Sequence, residues 1–322
     1  MLEKRDERRM KVLSLFDGIS CGMVALERAG LSAEKYDAFE IDKYAMTVSK
    51  NNFPDIVQHG NVFDGDYTQF KGYDLLLGGS PCTYWSVAKK NRETTTDGEG
   101  FRLFMQYVRA LEESKCRYFL YENNNSIHQN IKSEISRNLG VEPIMINSAL
   151  VSAQQRKRCY WTNIPNVTQP DDKGILLNDI LESGIGWQDK SYCMTANYAG
   201  AVIWNTLERS QRTMIAEPVT KPIRIGQYGK GGQGQRIYSV HGKSITLSAL
   251  GGGQGAKTSI YKIDLPDGDY IIRKLTPVEA ERLQTLPDNY TAGISNSQRY
   301  KCIGNGWTVD VIAHILGWLH ND

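Results

Sequence analysis

The sequence predicts an α/β protein with a doubly wound, mostly parallel sheet and a second, smaller domain that is rich in loops and mostly β. Between residues 11 and 165, short apolar runs alternate with helix-length amphipathic segments, which is typical of a parallel sheet with helices on both faces. This alternation ends after about residue 166, and the stretch 226–256 contains ten glycines. We therefore predict a first domain over 1–165, a second over 166–297 and a segment returning to the first over 298–322.

Each predicted element follows from a local pattern. The apolar run 11–16 predicts the first strand, and the helix over 22–30 ends at a glycine. The strand 36–40 precedes a helix through 44–48. Further strands are expected at 73–77, 117–121, 144–150 and 159–162, and further helices at 101–114, 275–284 and 308–319. In the helix near 277, Thr276 is the expected cap and Pro277 the first helical residue.

The composition, 40% hydrophobic and 23% charged, is that of a globular protein, and no apolar run approaches the ~18 residues of a membrane span. The mixed charges of 1–9 do not resemble a secretion signal. Six cysteines, at 21, 82, 116, 159, 193 and 302, show neither metal-chelating spacing nor the density of a disulfide scaffold. We expect a cytoplasmic protein with reduced thiols, no metal and no membrane partner.

The charge is unevenly distributed. Although the net charge is +2, the window 221–274 holds nine Lys and Arg against three Asp. This excess favours a surface that binds a polyanion, with a solvated lysine-rich surface as the alternative.

A cysteine follows the apolar run 75–77, after two glycines, a serine and a proline. Ligands of open α/β sheets bind beyond the carboxyl ends of the strands, so Cys82 is a candidate nucleophile, with a buried structural thiol as the alternative. Glu122 follows the strand 117–121 at the same sheet edge. A thiol and a carboxyl group suit addition to a cytosine ring, with the thiolate at C6 and the carboxyl at N3. Arg156 and Arg158 alternate onto one face with Gln154 and supply positive charge that favours a thiolate.

The first two strands predict a cofactor site. A glycine-containing turn, 16–22, follows the first strand, and Glu40 ends the second. A carboxylate there accepts both hydroxyls of a ribose, which favours an adenosine-bearing cofactor. No lysine-bearing phosphate loop is present, so ATP is disfavoured.

With these motifs in this order, the chain resembles the cytosine-C5 DNA methyltransferases. The resemblance implies a Rossmann-like methyltransferase fold, a cofactor domain over 1–165 and a target-recognition domain over 166–297. It implies S-adenosylmethionine as cofactor and Cys82, Glu122, Arg156 and Arg158 as catalytic residues. The cofactor residues it implies are Phe16, Asp17, Gly18, Ile19, Ser20, Glu40, Ile41, Asn61, Val62, Pro81, Leu103 and Asn305. Thr83 and Asn124 replace the family's usual glutamine and valine, and Asn61 stands at a usually acidic position.

The glycine-rich loops resemble those of the subgroup that methylates the inner cytosine of GCGC. The DNA-binding residues so implied are Ser86, Gln233, Arg236, Thr246, Ser248 and Gly253, and 84–100 is expected to be a mobile lid. We therefore expect a monomer that methylates a flipped cytosine in double-stranded DNA through a Cys82–C6 adduct, in the cytoplasm of a bacterial or phage-infected cell. The alternatives are an RNA methyltransferase of the tRNA-modifying type and a DNA-binding regulator without activity. A nicotinamide-dependent dehydrogenase agrees only with the alternation of strands and helices.

Overall fold

A computed structural model describes residues 8–86, 91–218, 224–227, 236–238 and 270–321, of which 224–227, 236–238 and 321 are described by backbone only. Its centre is a seven-stranded sheet of order β3-β2-β1-β4-β5-β7-β6. The strands are β1 (Arg8–Leu15), β2 (Leu31–Phe39), β3 (Val57–Gln58), β4 (Leu75–Gly78), β5 (Tyr118–Asn124), β6 (Ile144–Asn147) and β7 (Lys157–Thr162). The first five are parallel, whereas β7 runs antiparallel to both β5 and β6. The mostly parallel sheet predicted from the sequence is confirmed.

The strand order reverses between β1 and β4. From β1 the chain moves outward to β2 and β3, and it then returns to place β4 on the other side of β1. Such a switch point leaves a crevice beyond the carboxyl ends of the two central strands. The turn after β1 and the Cys82 segment after β4 both enter this crevice.

Helices cover both faces of the sheet. The helices are α1 (Cys21–Arg28), α2 (Lys43–Asn52), α3 (Glu99–Ser114), α4 (Gln129–Leu139), α5 (Ile203–Arg209), α6 (Pro277–Leu283), α7 (Asn296–Asn305) and α8 (Val309–Gly317). One apolar cluster joins β1 to α1 and α8, and a second, rich in aromatic rings, joins the opposite face to α3 and α4. Because α8 completes the first cluster, the C-terminal helix packs against β1 and α1.

The predicted cap of α6 is present. Thr276 Oγ1 accepts the Glu279 N–H at 3.1 Å, and Glu279 Oε2 accepts the Thr276 N–H at 2.8 Å. This reciprocal pair satisfies two backbone donors at the start of the helix, with Pro277 at the first position.

Outside the main sheet, the described residues form two short antiparallel ribbons. They pair β8 (Met214–Pro218) with β11 (Tyr270–Lys274), and β9 (Arg224–Gln227) with β10 (Arg236–Tyr238). A third apolar cluster gathers buried side chains from Ala153 to Ile303. The domain boundaries at 165 and 297 stay predictions, as does the mostly β character of the second domain.

Among the described residues, no helix combines the length and the apolar character that a membrane crossing needs.

Candidate active site

The turn after β1 has an unusual backbone. Phe16, Gly18 and Ser20 all have positive φ, at 56°, 61° and 59°. A left-handed conformation costs a non-glycine residue roughly 1–2 kcal/mol, so two such residues in one turn mark a place where the fold holds a strained shape. The turn is tied to β2, because the Gly18 N–H donates to Glu40 Oε2 at 2.8 Å.

Glu40 is held as an acceptor at the mouth of the crevice. Its second oxygen, Oε1, accepts the backbone N–H groups of Ile41 and Asp42, both at 2.7 Å. These three bonds fix the carboxylate and leave a lone pair on Oε2 free for a hydroxyl-bearing ligand. Beside it the side chain of Ile41 is 74% exposed, and an apolar side chain exposed at a cleft is typical of a surface that covers a flat ring.

Asp17 stands behind the turn. Ser14 and Tyr36 donate to its Oδ1, both at 2.7 Å, and Ser20 donates to its Oδ2 at 2.6 Å. Burial raises the pKa of Asp17 to about 6, because the loss of hydration outweighs these hydrogen bonds. The carboxyl therefore titrates closer to neutrality than an ordinary aspartate.

Two glycines bring the Cys82 segment against its neighbours. A Cβ on Gly78 would lie 2.8 Å from the Tyr107 ring, and one on Gly79 would lie 2.8 Å from the Glu122 carbonyl oxygen. No larger residue fits, so the glycines allow the end of β4 to approach β5 closely. The segment that follows is anchored by Asn123, whose Nδ2 donates to the Ser80 carbonyl at 3.1 Å.

Cys82 begins a short 3₁₀ turn, Cys82–Tyr84, and its thiol is half-buried. Its carbonyl accepts the N–H groups of Trp85 at 3.1 Å and Ser86 at 3.0 Å, and the buried Trp85 ring fixes the turn. All six cysteines are free thiols, as expected.

Glu122 is clamped at both oxygens. The Arg158 Nε lies 2.9 Å from Oε1, and the Trp307 indole N–H donates to Oε2 at 3.1 Å. The Glu122 and Arg158 side chains are only 12% and 14% exposed. Burial alone would lower the pKa of Arg158, but the facing groups Cys193, Glu122 and Cys82 raise it above its usual value. Arg158 therefore pairs directly with Glu122, and Cys82 lies near enough to act on the charge of Arg158.

Arg156 is differently placed from Arg158. It is 4% exposed, and its guanidinium donates to the carbonyls of Met194 at 2.9 Å and Gly306 at 2.8 Å. Its side chain thus ties the segment near 194 to the end of α7. Arg156 is buried, at 4% exposure, and the Arg158 side chain is only 14% exposed, so neither belongs to a solvated surface.

These groups line one cavity of about 450 Å³, within the range of small-molecule sites. The cavity brings together Cys82, Glu122, both arginines and eleven of the twelve predicted cofactor residues. The twelfth, Ser20, is fully buried behind the turn and bonds Asp17 and Ser49. Gln154 is outside the cavity wall; its buried amide donates to Gln284 Oε1 at 2.9 Å.

The sequence of this chain matches the profile of a family described as "C-5 cytosine-specific DNA methylase" over residues 10–321. The chain belongs to the C-5 cytosine-specific DNA methylase family. The methylase is 31% identical to the type II methyltransferase M.HhaI of Haemophilus parahaemolyticus, over 98% of this chain and 96% of that protein. It is 24% identical to the orphan methyltransferase M.SPRI of Bacillus phage SPR, over 96% and 97% of the two chains.

The fold of the methylase is also found among solved structures. The methyltransferase EhMeth of Entamoeba histolytica superposes with a TM-score of 0.68 at 16% identity, over 99% of each chain. With the family established, the predicted activity is confirmed: the protein is a DNA cytosine-C5 methyltransferase.

Sequence reasoning missed two residues of the site. Trp307 and Cys193 both contact the candidate catalytic residues, at Glu122 and at the arginines respectively. Trp307 directly follows the Gly304-Asn305-Gly306 segment, so an aromatic residue beside that segment was the available signal. Cys193 has no local signal, because only the tertiary fold brings it to Arg156.

The predicted DNA-binding residues are described only in part. Ser86 is half-buried next to the Cys82 turn, and Arg236 begins β10. Gln233, Thr246, Ser248, Gly253 and residues 87–90 of the predicted lid lie outside the described residues.

Within the basic window, Arg273 pairs with Glu217 and Glu279, both at 2.8 Å. Arg273, one of the nine basic residues of the window 221–274, is therefore engaged in ion pairs within the fold. The described part of the chain contains no group of three or more His, Cys, Asp and Glu side chains placed to hold a metal ion.

Proposed function

We propose that the methylase acts on cytosine through a covalent bond between the Cys82 sulfur and C6 of the ring. The proposal is supported by one relationship above all: the Cys82 thiol and the Glu122 carboxyl face the same Arg158 guanidinium inside one cavity. Arg158 holds the Glu122 carboxyl in a fixed orientation in the wall of the cavity that contains the Cys82 thiol.

The residues of this chain divide the chemistry between them. The Cys82 thiolate forms the C–S bond with C6. The Glu122 carboxylate takes up a proton from water as the base enters and shares it with N3, so that the electrons of the C5–C6 double bond move to C5. After C5 is methylated, loss of its proton to water and cleavage of the C–S bond restore the ring and the thiolate. Protonation by a positioned carboxyl group contributes typically about 10²–10⁴-fold to such a step.

The family implies S-adenosylmethionine as methyl donor, and the cavity fits such a group. When bound, it supplies the methyl group that C5 receives. The fixed Glu40 carboxylate suits ribose hydroxyls, and the exposed Ile41 with Phe16 suits the faces of an adenine ring. We assign the remaining lining residues, including Asn61, Val62, Leu103 and Asn305, to the walls of this site.

The DNA substrate is proposed to be a duplex with a GCGC-like site. A cytosine inside a duplex is unreachable by a side chain, so the base must rotate out at a cost of a few kcal/mol. Arg236 is proposed to read a guanine, Gln233 to fill the space left by the base, and Thr246 to contact the flipped nucleotide, on the resemblance of 230–253 to GCGC-recognising loops.

The test is Cys82→Ala beside Cys116→Ala, a control in which a buried thiol outside the cavity is removed. We expect Cys82→Ala to abolish methyl transfer to duplex DNA and Cys116→Ala to retain it. Transfer by Cys82→Ala would overturn the proposed nucleophile, and transfer to tRNA in preference to duplex DNA would overturn the proposed substrate.

A further inference from the structure

A second cysteine contacts the catalytic arginines. The Cys193 Sγ accepts from Arg156 Nη1 at 3.4 Å and is 3.8 Å from Arg158 Nη2. One sulfur therefore bridges two guanidinium groups, and the second of these is the group that binds Glu122 at 2.9 Å.

The position of Cys193 is fixed by its neighbours. The Ser191 carbonyl accepts the Gln155 N–H at 2.8 Å, and the Gln154 side chain accepts the Met194 N–H at 3.1 Å. The segment 191–194 thus runs beside the residues that lead into β7. The fold holds the sulfur against the arginines through backbone bonds on both of its sides.

The contact between Cys193 and Arg156 matters for the balance of charge in the site. Arg156 is 4% exposed, and among the described residues it forms no ion pair with a carboxylate; its other hydrogen-bond partners are the neutral carbonyls of Met194, Gly304 and Gly306. A buried cation without a counter-ion is unfavourable, so an anion is needed within reach of it. The Glu122 carboxylate pairs with Arg158, which leaves the Cys193 sulfur as the group placed to balance Arg156.

We propose that Cys193 rests as a thiolate and is the positioning anion that pairs Arg156 and orients Arg158 toward Glu122. The claim that Cys193 orients Arg158 toward Glu122 rests on the proposed function, whereas the claim that Cys193 is ionised does not. The charged and titratable groups that face the pair are Arg156, Arg158, Glu122, Cys82 and Tyr160.

The electrostatics agree with the geometry. Burial alone would raise the pKa of the Cys193 thiol, but Arg156 and Arg158 lower it below its usual value. The other buried thiols behave in the opposite way. Burial raises the pKa of Cys21 and Cys302 to about 12 and of Cys116 to about 11, and it also raises that of Cys159.

This contrast permits a direct titration. In Cys82→Ser, five thiols remain, and the pKa of Cys193 is lowered whereas those of the other four are raised, so we expect one thiolate to appear in the ultraviolet absorbance below the ordinary cysteine pKa of ~8.5. Adding Cys193→Ser should remove this step, whereas adding Cys116→Ser should leave it intact. A titration that Cys193→Ser does not change would overturn the proposal and leave a neutral thiol that donates to the Met194 carbonyl at 3.6 Å.

The positioning role is tested with Cys82 intact. Cys193→Ser keeps the size of the side chain but removes the anion, and we expect kcat for methyl transfer to fall about tenfold with an altered pH profile. Cys193→Asp restores an anion and should recover most of the loss. Equal losses in the serine and aspartate variants would contradict the positioning role. If no form of the protein methylates DNA, the proposed function fails, but the thiolate titration still decides on the anion.

Discussion

The Trp307 indole N–H donates to Glu122 Oε2 at 3.1 Å, while Arg158 holds the other oxygen of the same carboxyl group. Both oxygens are thus occupied before a base arrives. In the proposed reaction Glu122 Oε2 binds N3 of the cytosine while its second lone pair keeps the indole contact, so Trp307 is placed to orient the carboxyl.

Replacing Trp307 with Phe keeps an aromatic ring in the wall but removes the N–H donor together with the five-membered ring. A hydrogen bond to a charged group contributes about 1.5–3 kcal/mol, so we expect kcat to fall about tenfold or more. Steady-state kinetics on duplex DNA would measure this. Trp204→Phe is the control, because Trp204 lies outside the cavity on α5. Unchanged kcat in Trp307→Phe would show that the indole bond has no part in the reaction.

Gly79→Ala should disturb both the fold and the site. The added Cβ would lie 2.8 Å from the Glu122 carbonyl and 3.2 Å from Glu122 Oε2, and such overpacking typically costs about 1–3 kcal/mol. Urea unfolding compares this variant with Gly317→Ala, where nothing lies within 4 Å of the new methyl group. We expect a loss of stability and of activity for position 79 alone. Equal stability of the two variants would mean that β4 and β5 are not in such close contact.

The raised pKa of Asp17 makes part of the stability depend on pH. Since the folded pKa is about 6 against 3.8 in the unfolded chain, this contribution is fully present below about pH 4 and is lost as the pH rises through 6. Asp17→Asn stays neutral and avoids the loss. We expect the wild type to lose on the order of 2 kcal/mol relative to Asp17→Asn between pH 4.5 and 7.5, as measured by denaturant unfolding. A difference that does not vary with pH would contradict the shifted titration.

The Arg236 prediction concerns specificity. If Arg236 binds the edge of one guanine, Arg236→Ala should cost ~1–3 kcal/mol of discrimination at that base pair and little at the others. Methylation kinetics on duplexes with single base changes would measure it. A loss that is equal on every sequence would instead identify a contact with phosphate.

The sequence predicted much of the first domain, because apolar runs and glycine-terminated helices are local signals. It also placed Cys82 and Glu122 at one sheet edge, since parallel strands end together. The strand with Glu122 nevertheless continues to Asn124, so that this carboxylate lies within β5 and not after it. The antiparallel direction of β7 was not predicted, because periodicity carries no information on strand direction.

Other features had only weak sequence signals or depended on residues that are far apart in the chain. Helix α4 is largely polar, and only the four-residue spacing of Ile131, Ile135 and Leu139 marks its buried face. The contact between Trp307 and Glu122 joins residues 185 positions apart, and the contact of Cys193 with Arg156 joins residues 37 apart. Such pairs depend on how β5, β7 and the C-terminal helices pack together, which no single segment determines.

The most direct test of the central claim is to identify the atom that bonds to the base. A duplex with 5-fluorocytosine in the target site, mixed with S-adenosylmethionine, should trap the adduct, because fluorine at C5 cannot leave as a proton does. Peptide mass spectrometry of the trapped complex is expected to find the modified base on the peptide that contains Cys82, and no complex with Cys82→Ala. A bond to any other residue, or a stable complex formed by Cys82→Ala, would contradict the account.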